Sequence, residues 1–129
     1  NNVDLSLNLW FCVIHSKNAE MIHLLEEIFQ IKNDAFFNEC LIESIKCHHN
    51  DITNYIKDNL ITKQYKISFY SGIKYYNYEF FPDNLINYDA FCELCKYDYT
   101  YIVETSFNSE RIDLYSNEIN AENIHKKTN

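Results

Sequence analysis

The chain has 129 residues, with one glycine, Gly72, and one proline, Pro82, where average usage would supply about nine and six. One glycine cannot furnish a phosphate loop, a nucleophile elbow or a dinucleotide fingerprint, so most motif-readable enzymes are excluded, as are collagen-like and glycine-punctuated sandwich folds. A net charge of −8 repels phosphate backbones and argues against nucleic acid and anionic membrane as partners.

In chain order, Leu5, Leu9 and Val13, with Trp10 and Ile14 beside them, mark an apolar stripe at helical spacing. Asn18 is a good N-cap for a second helix, with Glu20 in its first turn and Met21, Leu24, Leu25 and Ile28 as its stripe. The pattern from Ile14 to Leu25 recurs from Ile45 to Ile56 at a constant offset of 31. An apolar residue leads, polar residues follow, an acid (Glu20, Asp51) sits seventh, and an apolar helical face begins eighth. In this second copy Asn33 or Asp34 caps a helix carrying Phe37, Leu41 and Ile45, a turn falls at His48-His49, and Ile52, Ile56 and Leu60 continue. The stretch Tyr65 to Phe81 is crowded with aromatics: Tyr65, Phe69, Tyr70, Tyr75, Tyr76, Tyr78, Phe80 and Phe81. Ser71-Gly72 there offers a β-hairpin turn, but the repeat frame favours helix or compact loop. A third copy starts at Cys95, 50 residues after Ile45, so something inserted or degenerate lies between. Asn87 caps its first helix, with Phe91, Leu94 and Cys95; its second begins near Thr100 and fades near Phe107. Beyond Asn108 the chain is polar, with Ile112 and Leu114 its last apolar pair and 120–129 a frayed end.

Hydrophobic residues make up 47% of the chain, and surface scaling at this length buries roughly 68% of the unfolded area, enough for one domain with a core. No run of eighteen apolar residues and no signal-peptide pattern occurs. The opening Asn1-Asn2-Val3 lacks an initiator Met, so the chain is read as a piece of a longer protein. Five cysteines, an odd number without disulfide-scaffold spacing, suit a reducing, intracellular and cytoplasmic setting. Most lie within apolar runs and are read as small buried hydrophobes.

Few motifs carry chemistry. Cys92 and Cys95 match a zinc or redox pair, but zinc needs two further ligands and no second pair exists. Structural cysteines are the preferred reading, with a zinc-stabilised interaction domain as the alternative. Cys47-His48-His49, with His15 and His23, suggests a metal cluster, yet adjacent histidines diverge, and turn structure is preferred. Glu26-Glu27 and Glu39/Glu43 are read as a solvated face rather than paired acids. Nothing supplies an oxyanion hole for a cysteine–histidine dyad, so no catalytic residue and no cofactor is expected. Tyr75, Tyr76 and Tyr78 are candidates for partner contact, because tyrosine gives large contact area at low entropic cost; the alternative is that they staple an inserted loop onto the core.

The helix–turn–helix unit with an acid before an apolar second helix resembles an ankyrin repeat. The family's small-residue pair falls on Val13-Ile14, Ser44-Ile45 and Leu94-Cys95, its glutamate on Glu20, Asp51 and Tyr101, and its branched pair on Met21-Ile22, Ile52-Thr53 and Ile102-Val103. More closely, from about Leu9 to Leu114 the chain resembles a domain of unknown function that accompanies ankyrin repeats in proteins of parasitic protists. Glu43-Ser44-Ile45-Lys46-Cys47-His48-His49-Asn50-Asp51-Ile52 with Tyr55-Ile56 carries that likeness. So does Tyr75-Tyr76-Asn77-Tyr78-Glu79-Phe80-Phe81-Pro82 followed by Cys95-Lys96-Tyr97-Asp98. The family's threonine-proline-leucine-histidine start is missing, and its turn glycine is replaced by Lys17, His48 and Asp98. Those turns are then either strained or of another geometry, since aspartate and histidine accept left-handed backbone better than lysine does.

The resemblance implies an all-α fold: a short ankyrin-like solenoid of about three stacked hairpins, near 3–30, 34–60 and 84–107, with an aromatic insertion at 61–83 and a polar tail at 108–129. It implies a protein–protein interaction module rather than an enzyme, bound to another protein and continuous with the rest of its own repeat array. A structural cap or spacer of that array is a further alternative. First-helix and turn positions line the concave side of such arrays, which points to Lys17, Lys46, His48, Lys96 and Asp98 as partner-binding residues.

Overall fold

The computed structural model describes residues 2–63, 70–83, 85 and 87–108. Tyr65, Phe69 and the tail from 109, including Ile112 and Leu114, lie outside the described residues. Among those described, the chain is all-helical: α1 (Asn2–Ser16), α2 (Ala19–Phe29), α3 (Asp34–Lys46), α4 (Asn50–Asn59), α5 (Ser71–Lys74), a 3-10 turn (Tyr78–Phe80), α6 (Tyr88–Lys96) and α7 (Thr100–Asn108). No described helix is long and apolar enough to cross a membrane. Ser71-Gly72 opens α5 and makes no β-hairpin.

Three helix starts follow one rule. Asn18, Asn33 and Asn87 each hold extended backbone while the side-chain oxygen accepts a backbone N–H three residues on, from Met21, Phe36 and Ala90. Each satisfies one orphan donor of the first turn.

The chain divides into two compact units, Asn1–Phe80 and Phe81–Asn129. In the first, α3 contacts α1, α4 and α5. Its core is Trp10, Val13 and Ile14 from α1, Ile22 and Leu25 from α2, Phe36, Phe37, Cys40, Leu41 and Ile45 from α3, and Ile52 and Ile56 from α4. Trp10 meets Phe37 edge to face, with ring centroids 5.3 Å apart. Between α3 and α4 the fully buried Ser44 donates to the Leu41 carbonyl and bonds the Thr53 hydroxyl at 2.7 Å, so neither hydroxyl is buried unpaired. Asp34 accepts from the Thr62 and Lys63 amides and the Thr62 hydroxyl, tying the chain beyond α4 to the start of α3. Those bonds hold its carboxyl below the usual range. In the second unit α6 contacts α7, Ala90 and Leu94 are buried one turn apart, and Phe81 meets Tyr99 edge to face.

The buried stripe of α1 differs from the expected one. Leu5 and Leu9 are exposed, and the sector of Trp10, Val13 and Ile14 faces inward. In α2 only Ile22 and Leu25 are buried, while Met21, Leu24 and Ile28 are exposed. Both helices carry apolar side chains around much of their circumference, so their neighbours, not their own pattern, choose the inner face.

Candidate functional site

The turns after α1, α3 and α6 place Lys17, His48 and Asp98 at φ 58°, 60° and 67°. The left-handed geometry is therefore kept without glycine, and the strained alternative holds. After α3, the His48 amide donates to the Ile45 carbonyl and the His49 amide to the Ser44 carbonyl. After α6, Asp98 and Tyr99 donate in the same way to Cys95 and Leu94. This is the Schellman helix end, which satisfies carbonyls of the last turn.

A fourth such turn lies inside the aromatic segment. Tyr76 has φ 58°, its amide donates to Ile73, and the Asn77 amide donates to Gly72. The signal was in the sequence: Ile73 leads and the acid Glu79 sits seventh, as in Ile14 to Glu20 and Ile45 to Asp51. Aromatic crowding hides it.

Successive turns in the first unit are joined by one recurring bond. His49 donates from Nδ1 to the Ile14 carbonyl at 2.7 Å, and Asn77 donates from Nδ2 to the Ile45 carbonyl at 3.0 Å. In both, the residue after the left-handed position reaches the apolar lead of the preceding turn. Asn77 also donates to Asn50 at 2.8 Å. The aromatic segment is thus stapled by buried Ile73 and Asn77 and by Phe80, which packs against the core, while Tyr76 and Tyr78 are exposed. Tyr75 is half-buried, with the Lys46 ammonium 6.0 Å and the Lys74 ammonium 5.3 Å from its ring centre. The structure therefore brings two of the sequence-marked residues, Lys46 and Tyr75, together. Lys17 and His48 are exposed at equivalent turns. In the second unit Lys96 lies over Tyr97 at 5.5 Å, and Asp98 is exposed.

Exposed apolar surface concentrates elsewhere. Leu5 and Leu9 lie one turn apart on α1; Met21, Leu24 and Ile28 share one face of α2, followed by Phe29, and all six are exposed. Leu5 is 68% exposed and Ile28 60%. No large hydrophobic of α3 or α4 is exposed to that degree. The second hairpin contacts α1 and α5, whereas described elements cover only part of the first.

The thiols depart from the buried reading. Cys40 alone is fully buried; Cys12, Cys92 and Cys95 are exposed and Cys47 is intermediate, all as free thiols. On α6 the inner positions are Ala90 and Leu94, and Cys95, one residue further round, turns outward. Burial, with Glu39 and Glu43 adding, pushes the Cys40 thiol far up, and burial also raises Cys47 and Cys95. Among the described residues no third metal-ligating side chain joins Cys92 and Cys95.

Two acids of the expected solvated face are engaged. Glu26 accepts from the Tyr55 hydroxyl at 2.7 and 3.0 Å. Glu43 accepts from His15 Nε2 at 2.6 Å, and the donor atoms of His15, Glu43 and Cys47 all lie within 4.8 Å of one another. No family model, no curated protein and no solved structure matches the chain.

Proposed function

We propose that the chain is a divergent ankyrin-like segment of stacked helical hairpins that binds another protein, rather than an enzyme. The recurring turn bond from His49 to Ile14 and from Asn77 to Ile45 supports the repeat reading, because one unit-to-unit contact is reused. The binding reading is carried by one observation. The first hairpin leaves Leu5, Leu9, Met21, Leu24, Ile28 and Phe29 exposed, while the second hairpin exposes no comparable residue. A hairpin cannot bury both faces alone, and an apolar helical face left uncovered suits docking of another apolar helix pair. The cationic and aromatic turn residues Lys17, Lys46, His48, Tyr75, Tyr76 and Tyr78, with Lys96 and Asp98 of the second unit, are proposed as polar contacts at the turns.

A photocrosslinking side chain at Leu24, used in cells, tests this. One recurrent adduct is expected, abolished by Ile28→Lys, with none from the same probe at exposed Asn54 of α4. An adduct to a separate polypeptide supports partner binding; one to repeats of the same polypeptide supports a cap or spacer. Equal yields at both positions, or an adduct that survives Ile28→Lys, overturn the docking face.

A further inference from the structure

We propose that His15, Glu43 and Cys47 form a binding site for one divalent transition-metal ion of zinc type, which clamps the end of α1 to the end of α3. An imidazole nitrogen, a carboxylate oxygen and a thiol sulfur converge there. That mixed, borderline-soft donor set suits zinc and cobalt and does not suit magnesium or calcium.

The geometry is close to what such an ion needs. Tetrahedral bonds of about 2.0–2.3 Å set donor atoms roughly 3.3–3.8 Å apart. The three donors lie within 4.8 Å of one another, and His15 Nε2 and Glu43 Oε2 are at 2.6 Å. Small side-chain rotations therefore admit the ion between them. Glu43 and Cys47 are four residues apart at the end of α3, so they face the same way. The Cys47 amide donates to the Glu43 carbonyl, and the Schellman turn at His48 fixes the backbone just beyond. His15 comes from the last turn of α1 with its side chain 56% exposed, and has room to turn.

A plain histidine–glutamate hydrogen bond uses neither the thiol nor its position, whereas a metal uses all three groups. Binding forms metal–nitrogen, metal–oxygen and metal–sulfur bonds. The thiol proton leaves to solvent, the imidazole proton passes from Nε2 to Nδ1, and a water completes the fourth position. No electron is transferred. The site stands independently of the docking face on the first hairpin.

Cobalt(II) titration of the whole chain, with a non-chelating phosphine reductant, tests the site. A one-equivalent thiolate-to-cobalt absorption band is expected, displaced by zinc. Cys47→Ser should abolish the band. His15→Ala, at an exposed position that leaves the fold intact, should weaken binding roughly tenfold or more. The double variant Cys92→Ser/Cys95→Ser should bind as the parent does. Lack of a stoichiometric band, a band that survives Cys47→Ser, unchanged affinity in His15→Ala, or loss in the Cys92/Cys95 variant would each overturn the proposal.

Discussion

At the scale of single residues, Tyr55 shows how position converts a common side chain into a pH-sensitive tie. It lies on α4, and its hydroxyl donates to both oxygens of Glu26 on α2. The His23 ring meets it edge to face at 5.2 Å. Burial first, then the hydrogen bond and charge of Glu26, push its phenol up from 10.0 to about 12. An unfolded chain releases that proton near pH 10, while the folded chain holds it to about pH 12. Stability from this group is therefore complete below pH 10 and drains as pH rises from 10 to about 12. Tyr55→Phe removes the difference. Urea midpoints followed from pH 9 to 12 should fall more steeply for the parent than for Tyr55→Phe, other tyrosines giving the same background in both. Parallel slopes would sink this account. Nothing in the sequence around Tyr55 marks the partnership, because Glu26 is 29 residues away. The caps at Asn18, Asn33 and Asn87 were legible for the opposite reason: each acts on an amide three residues ahead.

At the scale of elements, the scarcity of glycine has two separate meanings. Three turns that want glycine run left-handed on Lys17, His48 and Asp98, and among the described residues Gln30, at the end of α2, and Tyr76 are left-handed as well. A left-handed non-glycine residue costs about 1–2 kcal/mol, and lysine has no short polar side chain to offset it. Lys17→Gly is therefore expected to stabilise the fold by about 0.5–1 kcal/mol, net of the unfolded-state entropy that glycine adds. The one glycine present serves a different need. A Cβ on Gly72 would lie 2.3 Å from the Phe80 carbonyl oxygen and 2.9 Å from that of Asn77, because the 3-10 turn folds back onto α5. Gly72→Ala must push backbone aside and should cost about 1–3 kcal/mol. Chemical denaturation of the two variants should thus move the midpoint in opposite directions. A stable Gly72→Ala variant would contradict the close approach. Spacing alone announced the turns at Lys17 and His48, since lead and acid recur at fixed distance, whereas the copy around Asp98 keeps the apolar lead Cys95 but has Tyr101 in place of the acid. The turn at Tyr76 obeys the same spacing, but its flanking tyrosines read more readily as an insertion than as a shortened copy of the unit.

At the scale of the whole molecule, helical class was legible and the choice of inner face was not. Periodicity states that a helix has an apolar side; it does not say what lies opposite. On α1, Leu5, Leu7, Leu9, Trp10, Phe11, Val13 and Ile14 surround most of the helix, and contact with α3 selects Trp10, Val13 and Ile14 as the core sector. Leu5 and Leu9 are left over by that choice, as Met21, Leu24 and Ile28 are on α2. If they hold nothing together, charging them should cost little. Leu9→Lys combined with Ile28→Lys should change the unfolding free energy by no more than about 0.5 kcal/mol and reduce binding of an apolar dye. Ile56→Ala, at a position with no exposure, should lose about 2–5 kcal/mol through the cavity it leaves. Calorimetric and denaturant unfolding of the three chains separates surface from core. A double lysine variant as damaged as Ile56→Ala would mean that the first hairpin already buries this face, and crosslinking lost in Ile28→Lys would then report unfolding rather than a missing contact.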